Sequence, residues 1–254
     1  MIPDHKRFKK PPQQLGRFFV LLKMSYQSNN YLYLVDTFSV IITAGGIGKR
    51  MRAKLPKQFM LVKERPLLMY TIEQFYFFNS RCQIILTLPE EWKDYWEQLI
   101  QEQEFKIPHR IVTGGKERYD SIKNALDFCT GEYIMVHDGV RPLVSLDTLK
   151  LCAAEVQTAK AVVPVVPLNE SLRMVDGDAT KAVDRSQFLM VQTPQCFANA
   201  ILKKAYEREF HSGITDDASL VEESGQEVHT VAGNIENIKI TTRADLLYAE
   251  QLLK

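Results

Sequence analysis

The chain has 254 residues, which suits one sizeable α/β core of roughly 200 residues better than two full domains. Hydrophobic residues make up 45% of it and charged residues 25%, proportions that are ordinary for a globular protein. The formal net charge of +1 is too small for the general electrostatic binding to nucleic acid or anionic membranes that strongly basic proteins show. We therefore expect neither partner.

The first 37 residues differ in composition from the rest of the chain. Lysine and arginine far outnumber acidic residues there, and an apolar run over residues 18–22 is too short to cross a bilayer. No small-residue cleavage site follows that run, which argues against a secretory signal, and Met24 could itself be a start residue. We expect residues 1–37 to be a non-catalytic tail, disordered or loosely helical, and residues 38–254 to form the catalytic domain.

The cysteines indicate a reducing compartment. They are widely separated and form no CxxC pair, a distribution that argues against a zinc site and against a disulfide framework. We therefore expect a cytoplasmic protein. The cysteines of the chain are Cys82, Cys129, Cys152 and Cys196.

A glycine-rich loop follows the first predicted strand, at residues 39–44. Glycines are concentrated directly after that β-branched run, and the N–H groups of such a backbone can wrap an anionic phosphate chain. We predict that this loop binds the phosphates of a nucleotide. The residues assigned to it are Ala44, Gly45, Gly46, Ile47 and Gly48.

The spacing of the loop excludes the two commonest glycine-rich phosphate sites. A dinucleotide-binding loop that starts at Gly46 would need a third glycine where Met51 stands. A P-loop would need glycine at Thr43 and a hydroxyl residue at Arg50. A glycine-rich turn that binds no ligand remains an alternative at this point.

Two long cationic side chains close to the loop favour nucleotidyl transfer. Arg50 comes after the glycines, separated from Gly48 by Lys49, and Lys57 lies in a Pro-Lys-Gln step shortly after them. Cations suit a reaction in which negative charge builds on a transferring phosphorus and on its leaving group. We predict that Arg50 and Lys57 are catalytic.

The rest of the chain alternates between short apolar runs and segments of helical periodicity. This alternation predicts a Rossmann-like, mostly parallel sheet with helices on both faces and with ligands at the carboxyl ends of the strands. The predicted strands are residues 39–44, 83–88, 109–113, 133–137 and 161–166, and the predicted helices are residues 66–79, 91–103, 118–129 and 145–158.

A pair of glycines, Gly114 and Gly115, opens the second motif, between a predicted strand and a predicted helix. Paired glycines let the backbone approach a flat base, and Arg118 and Ser121 could reach base or ribose oxygens. We predict a nucleotide-binding role for this segment. A plain turn with a solvated Arg118 is the alternative on the segment alone.

Asp138 ends a short strand that we expect to be central in the sheet. An ionised carboxylate in such a place needs a counter-charge or hydrogen bonds, and Mg²⁺ on nucleotide phosphates would supply the charge. Asp138 is therefore the predicted metal ligand, with a turn-capping aspartate as the alternative. His137 beside it is expected to be a hydrogen-bonded core histidine rather than a base or ligand.

Two features towards the C-terminus complete the pattern. Residues 167–192 alternate irregularly around an Asp-Gly-Asp turn and predict a hairpin arm. Lys239 lies in an apolar, strand-like context and should meet an anion, because an unpaired buried ammonium is costly. Asp216 and Asp217 are expected to cap a helix rather than to bind metal.

These motifs together resemble the sugar-phosphate nucleotidyltransferases, and among them the 2-C-methyl-D-erythritol 4-phosphate cytidylyltransferases. The resemblance runs from about Val40 to the C-terminus. It implies transfer of CMP from CTP to 2-C-methyl-D-erythritol 4-phosphate with release of pyrophosphate, in the non-mevalonate isoprenoid pathway, with Mg²⁺ as cofactor. It also implies a homodimer formed through the arm.

The resemblance further implies roles for single residues. Lys116, Gly139 and Asp138 would lie at the nucleotide with the glycine pairs, and Arg185 and Lys239 would hold the acceptor for catalysis. Relatives more often have Asp at Lys116, Ala at Gly139 and Thr at Ser171. The predicted acceptor-binding set is Arg141 and Ser171, reaching a partner subunit's site, with Arg185, Thr193 and Lys239.

Two other functions stay open from the sequence. A ribitol 5-phosphate cytidylyltransferase would share the loop, the cytosine pocket and much of the arm. A non-catalytic nucleotide-binding domain could use the same fold, although the presence of both Arg50 and Lys57 argues against it.

Overall fold

The computed structural model describes residues 38–46 and 55–253. The predicted tail over residues 1–37, with Met24, lies outside the described residues. So do three residues of the predicted phosphate site, Ile47, Gly48 and Arg50.

Twelve β-strands and seven α-helices form in the described part of the chain. The strands are β1 (Phe38–Thr43), β2 (Leu61–Val62), β3 (Arg65–Pro66), β4 (Gln83–Leu88), β5 (Arg110–Thr113), β6 (Tyr133–Asp138), β7 (Ala161–Pro167), β8 (Leu172–Asp176), β9 (Ala179–Val183), β10 (Leu189–Val191), β11 (Gln195–Ala198) and β12 (His229–Ala232). The helices are α1 (Leu67–Phe78), α2 (Lys93–Glu102), α3 (Arg118–Leu126), α4 (Leu146–Ala159), α5 (Asn199–Ala205), α6 (Asp217–Glu223) and α7 (Arg243–Leu252).

Eight of the strands form one central, mostly parallel sheet. Strand β1 lies between β6 and β4 and is parallel to both, and β5 extends the sheet beyond β4. On the other side of β6 the order continues through β11 to β7, and β12 pairs with β7 in parallel. Strand β11 is antiparallel to both β6 and β7, and β10 is antiparallel to β7. The predicted fold class is thus confirmed, with antiparallel strands inserted on one side.

The central strands are buried on both faces, because helices cover each side of the sheet. Ile41 on β1 packs in one hydrophobic cluster with Ile122 of α3 and Leu220 of α6. His137 on β6 faces the opposite side, where its ring meets Phe75 of α1 edge-on at a centroid distance of 4.9 Å. Alternate residues of a strand point to opposite faces, so both faces need apolar side chains, and the sequence shows continuous apolar runs.

A separate two-stranded hairpin of β8 and β9 projects from residues 167–192. Its closing pair is Asp176 and Ala179, which leaves a two-residue loop. Gly177 in that loop has φ +60°, a left-handed value that glycine adopts without steric cost. The predicted hairpin arm is confirmed.

The predicted strands and helices are all present, and their ends agree with the structure to within three residues. The largest difference is at α3, which ends at Leu126 instead of continuing to Cys129. None of the helices in the described part of the chain has the length and apolar composition that a membrane crossing requires.

Candidate active site

A cavity of about 300 Å³ opens at the carboxyl ends of the central strands. It is lined by residues 43–46 after β1, by Lys57 and Gln58, by the segment 115–121 before and within α3, by residues from 138–140 after β6, and by Lys239. Thr43 pairs with Asp138 in the register of β1 and β6, so the two loops leave the sheet side by side. The structure therefore brings the glycine loop, the paired-glycine segment, Asp138 and Lys239 into one site.

The start of the glycine loop is anchored to the sheet. The N–H of Ala44 donates to the carbonyl of Thr87 at 3.0 Å, and its carbonyl accepts from Nε2 of Gln58 at 2.5 Å. That amide already has a partner within the sheet, while Ala44 itself lines the cavity, so its predicted contact with the nucleotide stays a prediction. Gly45 and Gly46 follow and line the cavity. Among the described residues, a Cβ at Gly46 would meet nothing within 4 Å.

The paired-glycine segment is built for a close turn. A Cβ at Gly115 would lie 2.1 Å from Cβ of Asp120, so no other residue fits there without a shift of the helix. The N–H of Gly115 donates to Oγ of Ser121 at 3.0 Å, and that hydroxyl donates to the carbonyl of Glu117 at 3.1 Å. Ser121 borders the cavity, but its hydroxyl fixes the turn. Its predicted contact with the nucleotide stays a prediction, as does that of Lys116, which also lines the cavity.

Asp138 is the charge centre of the cavity. Its Oδ2 lies 3.0 Å from Nε of Arg141 and 3.1 Å from Nζ of Lys239, and its Oδ1 lies 3.8 Å from Nε of Arg118. Burial alone would raise the pKa of this carboxyl, but the three cations outweigh burial and hold the pKa well below its usual range. Asp138 is therefore ionised at neutral pH.

Arg118 is held by Asp217, which was predicted to be a helix cap. Its two terminal nitrogens contact both oxygens of Asp217, at 3.0 and 2.7 Å. Burial lowers the pKa of Arg118, but Asp217 outweighs that effect and the net pKa is raised, so the guanidinium stays charged. Asp216 caps α6, as predicted, by accepting from the N–H of Ser219, whereas Asp217 is the first helical residue and is no cap.

His137 and Thr193 form a hydrogen-bonded chain beneath Asp138. The Thr193 hydroxyl lies 3.0 Å from Nδ1 of His137, while Nε2 of His137 lies 3.0 Å from the carbonyl of Arg141. The same hydroxyl accepts from the N–H of Asp138 at 3.2 Å. This pattern requires neutral His137 with the proton on Nε2, and burial lowers its pKa to about 4. The interpretation of His137 as a core histidine is confirmed.

Two further predicted residues lie near this end of the sheet. Thr193 is buried and its hydroxyl contacts His137 and the N–H of Asp138, and its predicted contact with the acceptor stays a prediction. Lys239 was expected in a strand, but it lies in an irregular segment between β12 and α7. From this irregular segment the ammonium group of Lys239 reaches the carboxylate of Asp138.

Lys57 contacts the same irregular segment. Its Nζ donates to the carbonyl of Ile240 at 3.2 Å, one residue from Lys239. Both ammonium groups therefore stand at one side of the cavity, where they favour a bound polyanion.

Six of the predicted acceptor and nucleotide residues do not line the cavity in the described part of the chain, namely Gly114, Gly139, Arg141, Ser171, Arg185 and Thr193. Arg141 is turned into its own protomer, where Nη1 donates to the carbonyl of Asn237 at 2.7 Å. Arg185 donates to the carbonyl of Asn169, and Ser171 is exposed just before β8. Gly139 lies beneath the cavity, and a Cβ there would come within 3.0 Å of the Thr43 carbonyl. Their predicted contacts with substrate or with a partner subunit remain predictions.

The donors available for a metal ion are few but suitable for Mg²⁺. In the described ranges no group of three or more His, Cys, Asp or Glu side chains could hold a metal ion. Asp138 supplies one carboxylate, and its Oδ1 lies 3.8 Å from Nε of Arg118. Mg²⁺ in nucleotide sites commonly takes one or two carboxylates and completes its shell with phosphates and water. The residues present therefore fit a metal that arrives with the nucleotide.

Comparison with known proteins identifies the family. The family model for 2-C-methyl-D-erythritol 4-phosphate cytidylyltransferase matches residues 38–254. The chain belongs to that family. It is similar to the Bacteroides fragilis 2-C-methyl-D-erythritol 4-phosphate cytidylyltransferase, with 45% identity over 216 residues that cover 85% of this chain and 99% of the relative. The Bacteroides thetaiotaomicron enzyme of the same name is 46% identical over the same length and coverage.

Solved structures agree with the family assignment. A 2-C-methyl-D-erythritol 4-phosphate cytidylyltransferase from Thermus thermophilus superposes with a TM-score of 0.69 at 30% identity, covering 85% of this chain and 98% of that one. A 4-diphosphocytidyl-2C-methyl-D-erythritol synthase from Anaerococcus prevotii gives a TM-score of 0.73 at 27% identity, covering 85% and 96%. The cytidylyltransferase fold therefore extends over the whole part of the chain that carries the cavity.

Proposed function

We propose that the chain transfers CMP from CTP to 2-C-methyl-D-erythritol 4-phosphate and releases pyrophosphate, as a step of the non-mevalonate isoprenoid pathway. The single observation that carries this proposal is the position of ionised Asp138 among three cations, between the glycine loop and the paired-glycine segment. Such a cavity offers amides, cations and a carboxylate to a nucleoside triphosphate. The expected location is the cytoplasm, a prediction that rests on the spacing of the cysteines.

The reaction is an in-line displacement at the α-phosphorus of CTP. An oxygen of the acceptor's phosphate attacks, a new P–O bond forms, and the bond to pyrophosphate breaks. Because a phosphate oxygen is already ionised at neutral pH, the reaction needs no strong protein base. Positioning and charge stabilisation then account for catalysis.

The chain's own cations divide this work. Lys57, with Arg50, stabilises the charge that develops on the phosphorus and on the leaving pyrophosphate. Lys239 and Arg185 hold the acceptor phosphate in line, and the planar guanidinium of Arg185 suits two-point contact with phosphate. Arg118 lies at the nucleotide side of the cavity, beside the turn that admits only glycine at position 115.

Asp138 is the residue that would hold Mg²⁺. When bound, the ion would neutralise charge on the nucleotide phosphates. Arg118, Arg141 and Lys239 keep the Asp138 carboxylate ionised and aimed into the cavity.

We also propose that the chain forms a homodimer through the arm. Exposed apolar side chains are concentrated on the arm, both on the β8–β9 hairpin and on β10. This pattern is typical of a protein interface. Val175 on β8 is 75% exposed, and Met174 beside it is 53% exposed. The other exposed apolar side chains of this surface are Phe188, Leu189, Met190 and Val191.

Steady-state release of pyrophosphate tests the proposed reaction. We expect release from CTP only when both Mg²⁺ and 2-C-methyl-D-erythritol 4-phosphate are present, and much less from ATP, GTP or UTP. Ribitol 5-phosphate as acceptor tests the rival cytidylyltransferase, which the family match does not favour. Absence of release with every acceptor would support a non-catalytic nucleotide-binding domain and contradict the proposal.

A further inference from the structure

We propose that Asp217 is a positioning residue of the nucleotide site, which holds the guanidinium of Arg118 against the cavity and so sets the affinity for CTP. The inference rests on the proposed function, because it assigns the wall that contains Arg118 to the nucleotide. Asp217 itself does not line the cavity.

The contact between the two side chains is of the two-point kind. Nη1 of Arg118 lies 3.0 Å from Oδ1 of Asp217, and Nη2 lies 2.7 Å from Oδ2. Paired parallel contacts fix the plane of a guanidinium as well as its position. Asp217 is 0% exposed, so water does not compete for its carboxylate, while the side chain of Arg118 is 30% exposed. The face and remaining N–H groups of Arg118 are thereby presented to the cavity in one orientation.

Asp217 is in turn held rigidly from behind. Tyr206, at the end of α5, donates its hydroxyl to Oδ1 of Asp217 at 2.6 Å. Oε1 of Gln195, the first residue of β11, accepts the N–H groups of both Asp217 and Ala218 at 3.0 Å. Asp217 therefore has one further partner at its carboxylate and one at its main chain, and its position does not depend on Arg118 alone.

Aromatic packing connects Tyr206, which contacts Asp217, to α3, the helix that carries Arg118. The rings of Tyr206 and Tyr119 stack with a centroid distance of 4.8 Å and an interplanar angle of 22°. Tyr119 also donates its hydroxyl to the carbonyl of Tyr206 at 3.1 Å. Helix α3, helix α6 and strand β11 thus converge on one buried charge pair.

Asp217 also determines which carboxylate Arg118 contacts. Nε of Arg118 is already 3.8 Å from Oδ1 of Asp138. Without the charge of Asp217, the nearest carboxylate for Arg118 is Asp138. A shift in that direction would withdraw Arg118 from the nucleotide wall and bring it onto Oδ1 of Asp138.

The test compares Asp217→Asn with Ser219→Ala. Asparagine keeps the volume and removes the charge, whereas Ser219→Ala weakens the cap of the same helix and does not touch Arg118 or Gln195. CTP affinity by titration calorimetry and KM for CTP are both measured, together with KM for the acceptor and the thermal midpoint. We expect Asp217→Asn to weaken CTP binding by about tenfold to a hundredfold, as misplacement of a positioning group does, with acceptor KM nearly unchanged. Asp217→Glu should restore part of the affinity.

Two outcomes would overturn the inference. One is an Asp217→Asn protein with wild-type CTP affinity; the other is an equal loss of affinity in Ser219→Ala, which would make the role purely structural. If Asp217→Asn does not fold, Tyr206→Phe decides, because it removes one hydrogen bond and keeps the ring stack: weaker CTP binding supports the inference and unchanged binding overturns it. Calorimetry with CTP alone remains informative even if the wild type turns over no acceptor, so a failure of the proposed function is distinguishable.

Discussion

Single charged residues decide how the cavity can hold a nucleotide. Asp138 is surrounded by Arg118, Arg141 and Lys239, and Asp217 balances only Arg118. Cations therefore outnumber carboxylates around the cavity, which favours a polyanion over a neutral ligand. Each cation has a defined partner in the protein, so the side chains are already ordered before the nucleotide binds, which reduces the entropic cost of binding.

Lys57→Ala tests the charge stabilisation of the transition state. We expect turnover to fall by at least about a hundredfold, as the loss of one positioned charge-stabilising group typically causes. Steady-state kinetics with saturating CTP and acceptor measure it. Lys63→Ala is the matched control, because Lys63 also donates to a main-chain carbonyl, that of Leu253, but outside the cavity. A fully active Lys57→Ala enzyme would remove Lys57 from the mechanism.

Arg185→Ala tests the predicted binding of the acceptor phosphate. We expect the KM for the acceptor to rise by about tenfold or more, since a charge-assisted contact to phosphate is lost, with CTP affinity almost unaffected. Arg173→Ala controls for general damage to the arm, because Arg173 contacts Thr180 across the same hairpin. Acceptor kinetics that do not change in Arg185→Ala would contradict the assignment.

At the scale of elements, the sequence patterns predict those strands and helices whose periodicity is local. Strand β4 and the glycine turns could be assigned because a buried parallel strand reads as an apolar run and close turns demand glycine. Strand β11 was missed because it has only four residues and its place between β6 and β7 depends on long-range pairing. Asp217 was interpreted as a cap for a similar reason, since its partner Arg118 is distant in sequence.

Some features of the site could likewise be predicted from local sequence patterns, and others could not. The glycine loop, Asp138 and Lys239 could be predicted to share one edge of the sheet, because motifs that follow parallel strands meet there. The buried hydrogen bonds of Thr193 could not be predicted, because no local sequence pattern shows whether a threonine hydroxyl contacts His137. The "Thr-Asp-Asp" run before α6 gave only a capping signal.

Changes on the surface of the arm should alter the oligomeric state of the protein without altering its hydrophobic core. We expect the double variant Met174→Glu with Val175→Glu to be monomeric at concentrations where the wild type is dimeric, because two charges would be buried in the interface. Light scattering after size-exclusion chromatography measures the mass. Phe77→Glu on α1, where Phe77 is 61% exposed, is the control and should stay dimeric. A dimeric double variant would place the interface elsewhere.

At the scale of the whole molecule, buried histidines should make the fold sensitive to acid. Burial lowers the pKa of His137 from 6.5 to about 4, and burial also lowers the pKa of His109. Because the folded pKa lies below the unfolded pKa, the unfolded chain binds more protons between those values. The stability is therefore fully present above about pH 6.5 and is lost as the pH falls towards about 4.

We expect the free energy of unfolding to fall by about 1 kcal/mol from His137 alone between about pH 7.5 and pH 5.5. Denaturant unfolding at both pH values measures the change. His137→Gln should be less stable at neutral pH but should lose less stability on acidification. An unchanged slope in His137→Gln would show that other groups cause the acid sensitivity.

The most direct test of the whole account is ³¹P NMR of one reaction that contains CTP, Mg²⁺ and equal concentrations of 2-C-methyl-D-erythritol 4-phosphate and ribitol 5-phosphate. The account predicts signals of the CDP-linked methylerythritol product and pyrophosphate, with ribitol 5-phosphate left unchanged. Formation of CDP-ribitol, or CTP that remains unconsumed, would contradict it.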